Sequence, residues 1–164
     1  MTATARDEAA TKAITKTIGE REIYVERMFS APRERVWKAF AEPDLIAQWW
    51  GRGNKLVIER WELQRGGHWR FVEHTNHGAF GFEGRFREVT PPERVVQSFE
   101  WDGMPAHVAI QTMTLDDLGD GRTRLVVTSI FHTQEERDGM LQSGMETGMN
   151  ESYAALDKVL AGMA

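Results

Sequence analysis

Alternating apolar and polar residues from Lys55 to His132, followed by one segment of helical periodicity, restrict this chain to few folds. Alternation with a period of two indicates strands that bury one face. Turn-forming residues interrupt the alternation repeatedly, so it predicts about six successive antiparallel strands. The interruptions are Gly66-Gly67, Asn76 to Gly78, Pro91-Pro92, Gly103 to Pro105 and Asp120-Gly121.

The segment before these strands predicts one more strand and two short helices. Residues 23–29 alternate and form the predicted strand. Ser30 followed by Pro32 is a helix-start signal, because serine caps and proline is tolerated in the first turn. Pro43 restarts a second short helix that ends at Trp49-Trp50-Gly51. Two adjacent tryptophans cannot both face one core, so we expect one to plug the fold and the other to line a pocket or its rim.

The last segment predicts a long helix. Thr133 and Glu136 have the spacing of a capping box. Beyond them runs an apolar stripe for roughly seven turns, ending near Gly162, with Gly139 as the expected point of any break. The stripe comprises Leu141, Met145, Met149, Leu156 and Leu160. Only this helix is long enough to cover the apolar face of the sheet, so the pattern predicts an α+β fold whose sheet curves round it.

Composition narrows the class of protein. The 164 residues carry a net charge of −5, which argues against nucleic-acid binding, because phosphate contacts need a basic patch. There is no cysteine, so disulfides and thiolate chemistry are excluded. No apolar run approaches the ~20 residues of a membrane span, and the N-terminus has no secretory signal. We expect a cytoplasmic protein without membrane insertion, either a monomer or a homodimer.

Neither an internal repeat nor a long linker divides the chain, so we expect a single domain over residues 21–164. Residues 1–20 are polar and small and are predicted to be a flexible tail. No nucleophile elbow, phosphate-binding loop or dinucleotide fingerprint is present. His74 and His77 are spaced like a metal pair but lack a third ligand, and we expect no metal and no cofactor.

The inward-facing strand positions are unusually aromatic: Trp69, Phe71, Phe80, Phe82, Phe86, Phe99 and Trp101. The helix opposite has a stripe of small residues, Gly144, Gly148, Ser152 and Ala155, beside several methionines. Glycine inside a helix costs roughly 0.5–1 kcal/mol relative to alanine. Either the helix backbone packs closely on the aromatics, or the space between them holds a ligand.

A few polar residues occupy strand positions whose alternation predicts an inward-facing side chain. Gln97 and Gln111 would orient a ligand in such a pocket. Glu73 would act there as a general base, or would lie at a strand end in water. Arg27 is a possible buried partner for Glu73. For the strand at 107–115 two phases compete, with either Val108 and Ile110 or Gln111 and Met113 facing inward.

Several ordered motifs together resemble one family. They are Arg27 to Pro32 with Val36-Trp37, Trp49-Trp50-Gly51, Gly66-Gly67, Phe82-Glu83-Gly84, Pro91 to Arg94, Thr123-Arg124-Leu125 and the glycine-containing C-terminal helix. From about Glu22 to Leu160 the chain resembles the homologues of the activator of the ninety-kilodalton heat-shock chaperone's ATPase. These belong to the START-like superfamily of polyketide cyclase, Bet v-type and lipid-transfer proteins, also called SRPBCC. At the position after Trp-Trp-Gly, often proline in the family, this chain has Arg52; after Gly148, where tryptophan is usual, it has Met149.

The resemblance implies a helix-grip fold, in which a seven-stranded antiparallel sheet encloses the long helix and an internal hydrophobic cavity. We therefore expect binding of a small hydrophobic molecule: aromatic, polyketide-like or lipid. The expected contacts are Trp50, Trp69, Phe71, Phe80, Phe82, Phe86, Gln97, Phe99, Trp101, Gln111, Met113, Met145, Gly148, Met149 and Ser152. The alternatives are a cyclase, aromatase or dehydratase, with Glu73, His107 or His132 as acid or base, and a regulator of a chaperone ATPase.

Overall fold

The structure is a computed structural model and describes residues 12–163. Its strands are β1 (Ile14–Ile18), β2 (Glu22–Phe29), β3 (Lys55–Trp61), β4 (His68–Thr75), β5 (Gly78–Thr90), β6 (Arg94–Trp101), β7 (Ala109–Asp117) and β8 (Thr123–Ile130). Its helices are α1 (Arg33–Ala41), α2 (Pro43–Trp49), α3 (Gln134–Gln142) and α4 (Met145–Gly162). This α+β order matches the predicted succession of strands and helices.

The strands form one antiparallel sheet in the order β1-β2-β8-β7-β6-β5-β4-β3. Helices α1 and α2 connect β2 to β3, which lies at the far edge of the sheet. The pairing shifts register between Ile58 and Arg60 and again between Phe86 and Glu88. Such irregularities bend strands, and here they lie in the half of the sheet farthest from β1. The sheet and α4 together have the helix-grip arrangement.

Two core clusters fill the fold. The first joins β2, β7 and β8 to α4 and includes Val25, Leu125 and Leu156. The second lies on β3 to β6 with α2 and has no buried residue from α4; it comprises Ile46, Leu56, Trp69, Phe71, Phe86 and Val95. The half-buried side chains of Trp37, Trp50 and Met113 pack against both clusters. The long helix therefore packs tightly over only one half of the sheet.

The sheet has eight strands rather than the seven expected, because β1 adds one at its edge. It lies within residues 1–20, which we predicted to be a flexible tail; residues 1–11 of that tail lie outside the described part. Ile14 and Ile18 are 55% and 41% exposed. Since its apolar side chains remain exposed, β1 is held by backbone pairing with β2, which leaves little hydrophobic pattern to detect.

The C-terminal helix is interrupted at a different glycine from the one predicted. Gly139 lies inside α3, whereas Gly144 adopts a left-handed φ of 85° and caps α4. Glycine reaches this conformation without the steric cost that a Cβ imposes. The Thr133 half of the predicted capping box is confirmed, since its side chain accepts a hydrogen bond from the Glu136 amide at 3.1 Å, whereas the Glu136 carboxylate pairs with His107. Ser30, in contrast, does not cap α1, which begins after Pro32.

Candidate functional site

A cavity of about 440 Å³ lies between the concave face of the sheet and α4. It extends across both halves of the sheet, since its lining includes Ile23 and Val25 of β2 as well as Phe71 of β4. Its floor and walls include six predicted aromatic residues: Trp50, Trp69, Phe71, Phe82, Phe86 and Phe99. The other predicted residues at the cavity are Gln97, Gln111, Met113, Met145, Gly148, Met149 and Ser152.

Two predicted residues, Phe80 and Trp101, do not line the cavity. They lie on the expected face of their strands but two residues beyond the lining residues Phe82 and Phe99, a distance of about 6–7 Å. There they pack against each other, with ring centroids 6.5 Å apart. Strand phase identified the face but did not show where along the strands the cavity ends.

Trp50 closes the aromatic wall. Its ring meets those of Phe71 and Phe82 edge-on, with centroids 5.2 Å away in both cases. Trp49 points to the other side, where its indole nitrogen donates to the Ala39 carbonyl at 3.0 Å. The two tryptophans therefore divide as expected, Trp49 into the buried core and Trp50 against the aromatic side chains, although both border the cavity.

Gly84 positions another aromatic side chain. The Trp69 indole nitrogen crosses β5 to donate to the Ser98 carbonyl at 3.3 Å. A Cβ on Gly84 would lie 1.8 Å from that same oxygen and 2.7 Å from the indole nitrogen. Only glycine therefore allows Trp69 to lie flat beneath the cavity and satisfy its buried N–H.

A row of polar side chains crosses the apolar floor. Gln97 donates to the Gln111 side chain at 3.2 Å, and Gln111 donates to the Ser129 hydroxyl at 3.5 Å. Ile110 is 40% exposed, so Gln111 and Met113 face inward and the competing phase of β7 is wrong. We call Gln97, Gln111 and Ser129 the polar row. Its side chains retain hydrogen-bonding capacity for a ligand in the cavity.

An ion pair lies at another part of the wall. Glu73 is 3% exposed, so the expectation that it lies in water is wrong. Arg52 donates to both carboxylate oxygens, from Nε at 3.2 Å and from Nη2 at 3.1 Å. Asn54 adds a third hydrogen bond at 3.3 Å. The hydrogen bond to Glu73 raises the pKa of Arg52 above its ordinary value, so this guanidinium stays charged.

The space beside the Cα of Gly148 is filled by the Arg52 side chain, and neither close packing on the aromatic residues nor an empty ligand space predicted this. A Cβ there would lie 3.0 Å from Nη1 and 3.2 Å from Cδ of Arg52. The absent side chain leaves room for the arginine, and the aromatic residues do not fill that space. Ser152, one turn along α4, donates to the Trp50 carbonyl at 3.1 Å and ties the helix to the same loop.

Arg27 does not pair with Glu73. Its side chain is 3% exposed and contacts Asp157 of α4, with Nη1 and Nη2 at 2.9 and 2.6 Å from the carboxylate oxygens. Its guanidinium also lies 4.7 Å from the centre of the Phe29 ring. The two buried charges are thus neutralised separately, one in the first core cluster and one at the cavity.

Of the three acid or base candidates, only Glu73 borders the cavity. His107 binds Glu136 on the surface, between the loop before β7 and α3. His132 is exposed. Within residues 12–163, no group of three or more acidic, histidine or cysteine side chains is arranged to hold a metal ion.

The family model for Activator of Hsp90 ATPase homolog 1-like protein matches residues 30–161. The chain belongs to this family. It also resembles a protein from Rhodobacter sphaeroides, at 28% identity and a TM-score of 0.85, covering 93% of this chain and all of that one. A protein from Arthrobacter aurescens shares the fold at 24% identity, with a TM-score of 0.82 and 94% of each chain covered.

More distant structures share the same fold. CalU16 from Micromonospora echinospora is similar over 92% of this chain and 84% of its own, at 20% identity and a TM-score of 0.61. No curated protein matches the sequence. None of the helices in residues 12–163 is long and apolar enough to cross a membrane.

Four polar residues at the cavity were missed from the sequence: Arg52, Ser129, Ser143 and Tyr153. Tyr153 lies within the stripe of α4, and its hydroxyl has no hydrogen-bond partner among residues 12–163. Burial raises the pKa of Tyr153, and nearby Arg27 opposes this effect. Arg52 had a signal, because the family often has proline there. Ser129 follows the same alternation as Leu125 and Val127, which could have placed it on the inner face.

Proposed function

We propose that this protein binds a small hydrophobic molecule in the cavity between sheet and helix. The aromatic cavity carries the proposal, because protein interiors contain few voids larger than a water molecule. Its volume of about 440 Å³ falls within the ~300–1,000 Å³ of ligand pockets. An apolar wall with a few convergent polar groups is the usual composition of such pockets. Suitable ligands are aromatic, polyketide-like or lipid molecules.

Binding explains the polar groups better than catalysis does. A cyclase or dehydratase needs an acid or base within reach of the substrate. Glu73 is the one candidate at the cavity, and both of its oxygens already accept hydrogen bonds from Arg52. We further propose one START-like domain that includes β1 together with the predicted residues 21–164. We also propose a cytoplasmic location, since the chain has no cysteine that needs an oxidising compartment.

Met149→Trp tests the proposal. Met149 lines the cavity, and the family usually has tryptophan there, so the fold should accept the larger side chain. We expect the affinity for a neutral naphthalene probe, measured by isothermal titration calorimetry, to fall at least tenfold while the melting temperature holds or rises. Ala154→Trp adds the same indole to an exposed position of α4 and is the matched control.

A broad lipophilic panel that fails to raise the melting temperature of the parent protein would refute the proposal, because a bound ligand must stabilise the folded state. Equal affinities for the parent and Met149→Trp would also refute binding at this cavity. Native mass spectrometry of protein purified without added ligand complements these measurements, since a retained molecule would identify the ligand class.

A further inference from the structure

Arg52 occupies an unusual position at the cavity. Its side chain is 37% exposed and also lines the cavity, so it lies where the interior meets solvent. Its backbone has a φ of 57°, a left-handed conformation that costs a residue with a Cβ roughly 1–2 kcal/mol. The bidentate contact with buried Glu73 holds the side chain in place. A strained residue clamped at a cavity points to a role for its side chain.

The hydrogen bonds of Arg52 leave part of its guanidinium available. Arginine has five N–H donors. Glu73 takes one from Nε and one from Nη2. No residue among 12–163 accepts from Nη1, which lies over the Cα of Gly148. Three donors therefore remain for a ligand, and Arg52 can use them without releasing Glu73.

The charges around Arg52 limit which ligand group fits. Glu73 is buried and neutralises the guanidinium, and Glu151 on α4 adds a second attraction to it. These two carboxylates already outnumber the one guanidinium, so an anionic ligand group would add to an excess of negative charge at this part of the wall. Removing a charge from water without a matching partner is costly. A neutral oxygen acceptor would satisfy the remaining donors without adding charge.

We propose that Arg52 anchors the ligand through a neutral acceptor, such as a ketone, ester or amide carbonyl, and that Glu73 sets this preference. This inference rests on the proposed function. Glu73 acts as a positioning residue: it orients the guanidinium and cancels its charge, and Asn54 holds Glu73 in turn. Gly148 belongs to the same device, since its missing side chain gives the guanidinium its place against α4.

Three naphthalenes of similar shape test the proposal by calorimetry at neutral pH. They are 2-acetylnaphthalene with a neutral carbonyl, 2-ethylnaphthalene without an acceptor, and 2-naphthoate with a carboxylate. A hydrogen bond to a charged donor is worth about 1.5–3 kcal/mol, which corresponds to roughly 10- to 150-fold in affinity. The parent protein should therefore bind the ketone at least tenfold more tightly than either of the other two.

Two variants separate the roles of the paired residues. In Arg52→Met/Glu73→Gln, which leaves no unpaired buried charge, the ratio of ketone affinity to hydrocarbon affinity should fall to about one. In Glu73→Gln alone, the affinity ratio should shift at least tenfold toward 2-naphthoate. A merely structural role would lower the three affinities together. Lys38→Met/Glu42→Gln, at the exposed ion pair between Lys38 of α1 and the residue that follows this helix, is the matched control.

The outcomes distinguish this inference from the proposed function. Equal binding of ketone and hydrocarbon by the parent, or naphthoate binding as tightly as the ketone, overturns the role of Arg52 and leaves cavity binding intact. Failure of the folded parent to bind any of the three overturns both. If the double variant does not fold, the parent series and the shift in Glu73→Gln decide the question.

Discussion

Gly148→Ala measures directly whether Arg52 occupies the space beside α4. Alanine is the better helix former by roughly 0.5–1 kcal/mol. Its Cβ, however, would lie 3.0 Å from Nη1 and 3.2 Å from Cδ of Arg52, closer than ordinary van der Waals contact. The arginine must move by a few tenths of an ångström, which disturbs its bidentate contact with Glu73. We therefore expect the two effects to offset and the free energy of unfolding to change by less than ~0.5 kcal/mol.

The same substitution should behave differently once the arginine is removed. In an Arg52→Ala/Glu73→Gln background nothing opposes the helix-propensity gain, so Gly148→Ala should stabilise by about 0.5–1 kcal/mol. For a domain of this size, each kcal/mol of added stability raises the melting temperature by about 2–4 °C. The difference between backgrounds is a coupling energy of about 0.5 kcal/mol or more, which double-mutant cycles resolve for residues in contact.

Chemical denaturation of the parent, Gly148→Ala, the double variant and the triple variant gives the four free energies of the double-mutant cycle. The dependence of the unfolding free energy on denaturant concentration should be the same in all four. Equal stabilisation in both backgrounds would show that Arg52 does not occupy this space. Gly148→Leu extends the test, because it must displace the guanidinium or overpack the wall. We expect a cost of roughly 1–3 kcal/mol in the parent. A stabilised Gly148→Leu would indicate an empty void at this position and refute the reasoning.

Other contacts give shorter tests. Asp157→Asn leaves buried Arg27 without its charged partner, but Asp157 is itself 38% exposed and Arg27 keeps its contact with the Met28 carbonyl, so the free energy of unfolding in a denaturant titration should fall by about 1–3 kcal/mol; no measurable loss would contradict the pairing. Above about pH 10 the unfolded chain loses the Tyr153 proton while burial keeps it in the folded state, so stability should fall with rising pH. Melting curves of Tyr153→Phe should show a smaller alkaline loss than the parent, and equal losses would refute this origin. Gly84→Ala should destabilise by more than ~3 kcal/mol, because its Cβ would meet a backbone oxygen. Gly139→Ala, with no atom within 4 Å of the new Cβ, should stabilise by about 0.5–1 kcal/mol; a similar response at both glycines would contradict the packing.

The strands and helices around the cavity could be predicted from the sequence because each depends on residues that are close together along the chain. A strand buried on one face must alternate, so Trp69, Phe71 and Phe86 could be assigned to the inner face from the sequence. The cap at Thr133 depends on residues three apart and was predicted for the same reason. The edge strand β1 escaped detection, because pairing with β2 leaves its isoleucines exposed and its pattern weak.

The polar contacts at the cavity depended on the tertiary structure. Glu73 meets Arg52 across 21 residues, and Arg27 meets Asp157 across 130. Charged side chains carry no periodicity that names their partners, so the sequence could show that Arg27 and Glu73 fall in apolar phase but not which residue neutralises each. The break at Gly144 rather than Gly139 was likewise decided by where the chain turns onto the sheet. Composition and alternation determined that an aromatic concave face would form, while packing decided where the helix leaves it uncovered and which arginine lies there.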